Sequence, residues 1–337
     1  MIENRGGVKI ASTLPDVKST SAYKPNDILL SNIRPYFCKI WFADKKGSCS
    51  NDVLVVRAKK EIDPKFLYYV LSDQNFFNWD SMTSKGTKMP RGTPNAIMKY
   101  SVPDLPFHTQ EKIASILSAY DNLIQNYKKQ IEALQTAASE LYKEWFVRFR
   151  FPRYQTTKFE NGIPKGWKVE KLGTLANIST GKCNREDAEE DGIYPLFDRS
   201  QEIKKSNEWI KDCEAIIVPG EGTSFIPRYY KGKFNLHQRC YCVEPKYPNF
   251  GKFLFYVLML NRKYFLSVAT GATVPSLRYN NFASMKFVLP EMSLCNNFNK
   301  IADDIFAKVD NLQQQITNLT QQRDLLLPRL MSDKLEV

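Results

Sequence analysis

The residues of this 337-residue chain that are best suited to chemistry are few and scattered. His237, Cys240 and Cys242 have the side chains of zinc ligands. Yet the two cysteines fall on one face of an expected strand, and no second ligand pair accompanies them. Pro15-Asp16 followed by Asp44-Lys45-Lys46 loosely mimics the carboxylates with which a nuclease holds its metal, a match that a chain one-quarter charged produces readily. His108 and His237 are the only histidines, so general acid–base work has few candidates. The sequence contains no glycine-rich loop followed by Lys-Ser/Thr to cradle phosphates. It also lacks the Asn-Pro-Pro-aromatic or Asp-Pro-Pro-aromatic tetrapeptide with which amino-methyltransferases grip a flipped base. The reading is of a binder, with no catalytic residue, metal or cofactor assigned.

The cations are better organised. Lys85, Lys88 and Arg91 lie in the loop "SKGTKMPRGTPN", and Arg278 with Tyr279 lies in a related stretch further on. In "IPRYYKGKF", residues 226–234, Arg228, Lys231 and Lys233 surround two tyrosines. The formal net charge of +12 is uneven along the chain. Residues 1–110 and 153–299 each carry a surplus of +6, whereas 111–152 and 300–337 are close to neutral. Two basic segments separated by neutral ones suggest two contacts with a polyanion, most naturally nucleic acid. These eight residues are therefore the candidate DNA-binding set.

The elements that position them come in duplicate. "KFLYYVL" at 65–71 returns as "KFLFYVL" at 252–258, and "KGTKMP" at 85–90 as "TGATVP" at 270–275. Lys112-Ile113-Ala114 is matched by Lys300-Ile301-Ala302, and Asp121-Asn122-Leu123 by Asp310-Asn311-Leu312. The ordered matches keep an offset of 185 to 189 residues, the mark of an internal repeat. Each copy ends in a heptad-spaced helix. One seam runs from Ile113 through Leu117, Ile124, Ile131 and Leu141 to Trp145, the other from Ala302 through Val309, Leu312, Ile316 and Arg323 to Leu330. An apolar seam of this period needs a partner helix, and each copy is the obvious partner of the other, running antiparallel. Two separate amphipathic core helices are the alternative.

Between the helices the sequence reads as mixed α/β. Strands are expected in "DILLSNI", "DVLVVRA", "EAIIVPG" and "RCYCVEP", and helices over 63–80 and 250–265 with aromatics turned to the core. Four segments follow: a first lobe (1–110), a first spacer helix (111–152), a second lobe (153–299) and a second spacer helix (300–337). The longest apolar run, Phe253 to Leu260, is far too short to span a membrane. Seven irregularly spaced cysteines suggest reduced thiols and a cytoplasmic setting.

The stretch "IPKGWKVEKLGTLANISTGK", a basic lobe, then "GATVPSLRYNNFASMKFVLP" and a heptad helix ending "LLLPRLMSDKLEV" together resemble the DNA-specificity subunit of type I restriction–modification systems. The resemblance covers nearly the whole chain. It implies two target-recognition domains, each reading one half of a split site on double-stranded DNA. It also implies helices that space the domains and dock two methyltransferase subunits, with restriction/translocase subunits joining the full complex. The assembled complex would supply the chemistry and this chain none. By the repeat offset, the twin of Ile163 would fall about 24 residues before Met1, so the first lobe is expected to lack its opening strand region. The alternatives are a coiled-coil adaptor whose basic lobes bind protein or RNA, and a stand-alone nuclease or methyltransferase.

If the helices act as a ruler, their length sets the gap between half-sites. Residues 111–147 would make a rod of about 55 Å. Inserting four residues near Gln135 lengthens it by about 6 Å and nearly restores its phase. Selection from a random DNA library should then return unchanged half-sites with the gap widened by about one or two base pairs, at roughly 3.4 Å each. An unchanged gap in a well-folded insertion variant would refute the ruler.

Overall fold

The computed structural model describes residues 1–9 and 19–331. Pro15 and Asp16 of the nuclease-like set, and residues 332–337 of the second spacer segment, lie outside them. The fold is mixed α/β. The chain forms two compact units, one made of residues 1–129 with 312–337 and the other of 130–311. Compactness thus divides each long helix between both units, where the sequence segments treat the helices as pieces of their own.

In the first unit, β1 (Ser21–Tyr23) precedes β2 (Ile28–Ser31), β3 (Ile40–Phe42), β4 (Gly47–Cys49) and β5 (Val53–Val56). β1 and β4 form a two-stranded ribbon, and the others an antiparallel sheet in the order β3-β2-β5. β2 is central because Ile28, Leu29 and Leu30 are all buried, an apolar run that only a covered strand tolerates. Just before it, buried Asp27 accepts two bonds from Arg57, both at 2.6 Å, and this guanidinium holds the carboxyl below its ordinary range.

The helix expected over 63–80 is two helices. Asp63 caps α1 (Pro64–Ser72), accepting from the Phe66 amide at 2.7 Å. Asp73, in extended conformation, ends α1 and caps α2 (Gln74–Thr83). An aspartate that can satisfy free amides of a new helix start favours this break. After α3 (Pro94–Ile97) the chain enters α4 (Phe107–Tyr142). Phe66, Tyr69 and Val70 of α1 pack on Ile113 and Leu117 of α4, and on Leu327 and Leu330 from the far end of the chain.

The second unit opens as α4 ends in a π-helical turn at Lys143–Val147. A short hairpin, β6 (Phe159–Glu160) with β7 (Ile163–Pro164), leads to β8 (Lys168–Lys171), α5 (Leu172–Leu175) and β9 (Ala176–Thr180). Then come β10 (Tyr194–Phe197), β11 (Lys204–Ser206), β12 (Lys211–Pro219), β13 (Arg228–Leu236) and β14 (Cys240–Pro245). Six strands make one sheet in the order β11-β10-β13-β12-β14-β9, antiparallel throughout except for the β10–β13 pair. Its faces alternate as a two-residue period demands. Ile216, Val218, Tyr241 and Val243 join the main core, while Ala215, Ile217, Cys240 and Cys242 join a smaller cluster.

The repeat of the lobe helix is α6 (Gly251–Leu260) with α7 (Arg262–Val268), followed by α8 (Tyr279–Ala283), β15 (Lys286–Leu289) and the long α9 (Met292–Met331). Phe253, Tyr256 and Val257 share a core with Ala138 and Tyr142 of α4, Trp145 of the π-helical turn, and Phe298 and Ala302 of α9. In both units the start of one long helix meets the end of the other. Within each unit the two helix segments are therefore antiparallel partners, meeting at seam positions such as Ile113 and Leu330 in one unit and Ala138 and Ala302 in the other.

Arg323 occupies an apolar position of that seam. Its Nη1 binds Asp121 Oδ1 of α4 at 2.7 Å, and Tyr69 Oη of α1 donates to the other carboxylate oxygen at 2.6 Å. Both charged side chains are largely shielded from solvent. Arg323→Ala should therefore cost about 2–4 kcal/mol, because Asp121 would keep a buried charge without its cation. Replacing both residues by leucine should recover most of that loss. Urea denaturation of the single and double variants, followed by far-UV circular dichroism, measures both changes.

Candidate nucleic-acid interface

The loops after α2 and α7 are built alike, through a matching set of main-chain bonds. Lys85 and Arg91 exchange two backbone bonds at 2.9 Å, and Thr270 and Ser276 exchange a matching pair at 2.9 and 2.8 Å. The Arg34 amide donates to Pro90 O and the Gly222 amide to Pro275 O; Gly92 N to Asn32 O, and Leu277 N to Gly220 O. Gly86 and Gly271 hold equivalent places with φ of 102° and 121°, a region that side chains disfavour. Each loop is thus a closed hairpin pinned to the end of the central strand of its lobe.

What each loop displays differs. In the first unit, Lys85 and Lys88 are exposed, and Arg91 is exposed but lies 3.0 Å from Asp52. In the second unit the matching loop carries no cation. Arg278 and Tyr279 are exposed just beyond it, at the N-cap and first residue of α8. By backbone register their twins are Thr93 and Pro94 at the start of α3, not the lysines of the first loop.

The 226–234 stretch separates into two kinds of cation. Lys231 and Lys233 are exposed on β13, with Lys233 Nζ 4.6 Å from the centre of the Trp209 ring. Arg228 is turned inward. Its guanidinium donates to the carbonyls of Asp198 and Ser200 and stacks 5.0 Å from the centre of the Phe197 ring. Burial lowers its pKa from the ordinary arginine value, and its Nε is buried without a partner among the described residues. Arg228 braces the sheet where the sequence placed it on the DNA-facing surface.

Beside the second loop lies a cleft of about 270 Å³, lined by Arg185, Asp198, Arg199, Glu221, His237 and Val274 among others. Glu221 bridges Arg199 at 2.7 Å and Arg239 at 2.6 Å, so two guanidiniums are held side by side. His237 is buried at the floor, its Nδ1 accepting from the Arg239 amide at 3.0 Å. Burial, with Arg199 nearby, keeps its pKa below the usual imidazole value. Burial alone would raise the Asp198 carboxyl, but bonds from Ser200 and Lys204 outweigh it and hold it low. The cleft was not legible in the sequence, because its lining residues come from five separate segments. Among the described residues no group of three or more His, Cys, Asp or Glu side chains is placed to hold a metal ion. Likewise, none of their helices is long and apolar enough to cross a membrane.

A family of sequences described as the type I restriction modification DNA specificity domain matches residues 5–136 and again 164–324. The chain belongs to this family. The double match coincides with the internal repeat. The chain is 25% identical over 316 residues to the type I restriction enzyme MjaIX specificity subunit of Methanocaldococcus jannaschii, covering 83% of this chain and 71% of that one. It is 31% identical over 159 residues to the EcoDI specificity subunit of Escherichia coli, covering 47% of this chain and 35% of the relative. In fold it is similar to the crystal structure of the type I restriction–modification S subunit from M. genitalium, with a TM-score of 0.60 and 19% identity. That likeness extends over 98% of this chain and 90% of that one.

Within this specificity-family fold, one buried group lies directly under the first loop. Asp80 of α2 is fully buried, and neither carboxylate oxygen has a hydrogen-bond partner among the described residues. Gly92 passes so close that a Cβ there would come within 2.4 Å of Asp80 Oδ1 and 3.1 Å of Asn32 Oδ1, itself unpaired. Burial pushes the Asp80 carboxyl up to about 6. A carboxyl raised by folding favours the native state while protonated. Its contribution is present below about pH 4 and is lost as pH rises through about 6. Asp80→Asn removes this dependence and supplies an amide that can donate to Asn32. Thermal unfolding should show the variant more stable than wild type by about 2–3 kcal/mol at pH 7.5, with the gap closing towards pH 4.

Proposed function

We propose that this chain is the non-catalytic specificity subunit of a type I restriction–modification complex, selecting a split target on double-stranded DNA. The observation that supports this reading best is the twofold recurrence of one closed hairpin, pinned by main-chain bonds to each lobe and surrounded by exposed cations. A protein that reads two half-sites needs two such platforms of constant shape and variable side chains. In the first lobe, Lys85, Lys88 and Arg91 are the contact residues. In the second they are Lys231, Lys233, Arg278 and Tyr279, joined by the Arg199–Glu221–Arg239 cleft, with Arg228 bracing the sheet beneath. The long helices serve as the docking surface for two methyltransferase subunits, and restriction/translocase subunits complete the complex. The setting of that complex is cytoplasmic.

The cations divide by role. Phosphate contacts act on every sequence alike, whereas base contacts act only on the cognate one. Arg278→Ala should cost about 1–3 kcal/mol at a single half-site if it reads a guanine. Charge reversal at Lys231 and Lys233 should weaken binding to all sequences and flatten its salt dependence. Electrophoretic mobility shifts with co-expressed methyltransferase, at two salt concentrations, separate these outcomes. A salt slope unchanged by the double reversal would remove the β13 lysines from the interface.

A further inference from the structure

Each lobe has a corner where its central strand ends, beside the hairpin and the start of a neighbouring strand. In the first unit the Asn32 amide donates to Asp52 O at 2.8 Å, and Gly92 N donates to Asn32 O at 3.0 Å. In the second the Gly220 amide donates to Arg239 O at 2.8 Å, and Leu277 N donates to Gly220 O at 2.8 Å. These matching bonds make Asp52 the twin of Arg239. Backbone bridges join Ile33 to Arg91 and Glu221 to Ser276, so Ile33 is the twin of Glu221, and Arg91 that of Ser276.

The two corners carry the same chemistry on exchanged positions. In the first lobe the carboxylate stands before β5 and the arginine in the hairpin, with Arg91 Nη1 3.0 Å from Asp52 Oδ1. In the second the carboxylate follows β12 and an arginine stands before β14. Arg239 Nη1 donates to Glu221 Oε1 at 2.6 Å, and Arg199 Nη1 donates to the other oxygen at 2.7 Å. The Glu221 side chain is 16% exposed, against 44% for Arg199 and 55% for Arg239, so the anion lies beneath and the cations face outward. Among the described residues no other side chain pairs with these three guanidiniums, which keep their remaining N–H groups for a ligand. An ion pair that recurs with its members exchanged is a property of the corner, not of one position.

We propose that these carboxylate-held arginines, Arg91 in the first lobe and Arg199 with Arg239 in the second, read guanine in the two half-sites, and that Asp52 and Glu221 are positioning residues that aim them. This rests on the DNA-recognition reading above. A guanidinium matches the O6 and N7 acceptors of guanine with two parallel N–H groups, and only when its plane is fixed. A carboxylate bound to one Nη fixes that plane and leaves the other donors available. The same carboxylate makes the corner a poor phosphate clamp, because it cancels cationic charge and repels an anion. The exposed Lys85, Lys88, Lys231 and Lys233, which no carboxylate aims, suit phosphates instead.

The test selects bound sequences from a random duplex library, using the full chain with co-expressed methyltransferase. Affinity is then measured for the selected site, its single-base variants and unrelated DNA. Arg199→Ala and Arg239→Ala should each lose about tenfold or more of the preference for a guanine in one half-site, and Arg91→Ala the same in the other. Binding to unrelated DNA should change little. Arg239→Lys and Arg91→Lys keep the charge without the fork and should not restore the preference. Glu221→Gln and Asp52→Asn should relax the same guanine positions severalfold while binding unrelated DNA at least as tightly as wild type, a combination that loss of structure would not produce. Weakening of all sequences alike, restored by lysine, would make the arginines phosphate contacts and overturn the inference. So would a selected site without guanine, or one whose guanines survive all three alanine variants. A wild-type complex that selects no split site would fail the DNA reading itself, and this inference with it.

Discussion

Everything in this chain hangs on one packing event made twice, the seating of an aromatic lobe helix on the paired long helices. Phe66, Tyr69 and Val70 make it in one unit, and Phe253, Tyr256 and Val257 in the other. Burial of large aromatic and aliphatic side chains is the dominant favourable term, and here it is concentrated where lobe meets helix. A repeated cation marks each seat. Lys65 Nζ lies 4.3 Å from the centre of the Phe42 ring, and Lys252 Nζ lies 4.5 Å from that of Tyr229. Lys252 also pairs with Asp303 of α9 at 2.5 Å, tying sheet, lobe helix and long helix at one point. With α1 or α6 fixed in this way, the hairpin that follows is fixed to its own helix pair.

That constancy explains how the two lobes share a frame while differing in content. The hairpins close through carbonyls and amides, so their outward side chains are not needed to hold the loop. One displays Lys85 and Lys88; the other displays Ala272, Thr273 and Val274, with its cations displaced to α8, β13 and the neighbouring cleft. A scaffold whose bonds are main-chain bonds leaves its exposed side chains free for recognition.

Much of this was legible in the sequence, and the reason is locality. The doubled helix-and-loop pattern, the heptad seams and all four expected strands depend on neighbours in the chain, and they stand at β2, β5, β12 and β14. What escaped depends on distant partners. Arg228 reads as a surface cation until the sheet brings Asp198 and Ser200 to its guanidinium. Arg199, Glu221 and Arg239 belong to separate segments and become a unit only when β10, β12 and β14 are assembled. The break at Asp73 was missed because apolar periodicity continues across it, although the aspartate itself was the signal. Arg323 stands among apolar seam positions with no local sign of its role, because its cross-helix partner Asp121 lies 202 residues upstream.

The division of the long helices between the units sets an order of assembly. Residues 130–311 are one continuous stretch, so the second unit can close as soon as its own chain has been made. The first unit cannot: Ile113 and Leu117 wait for Leu327 and Leu330, and Asp121 for Arg323, across a loop of 202 residues. Closing such a loop costs configurational entropy, but only as the logarithm of its length. Prior folding of the second unit shortens the effective loop, since both of its ends emerge from one formed core. The lobe synthesised first is thus the one completed last, and its seat stays open to solvent until the final helix returns.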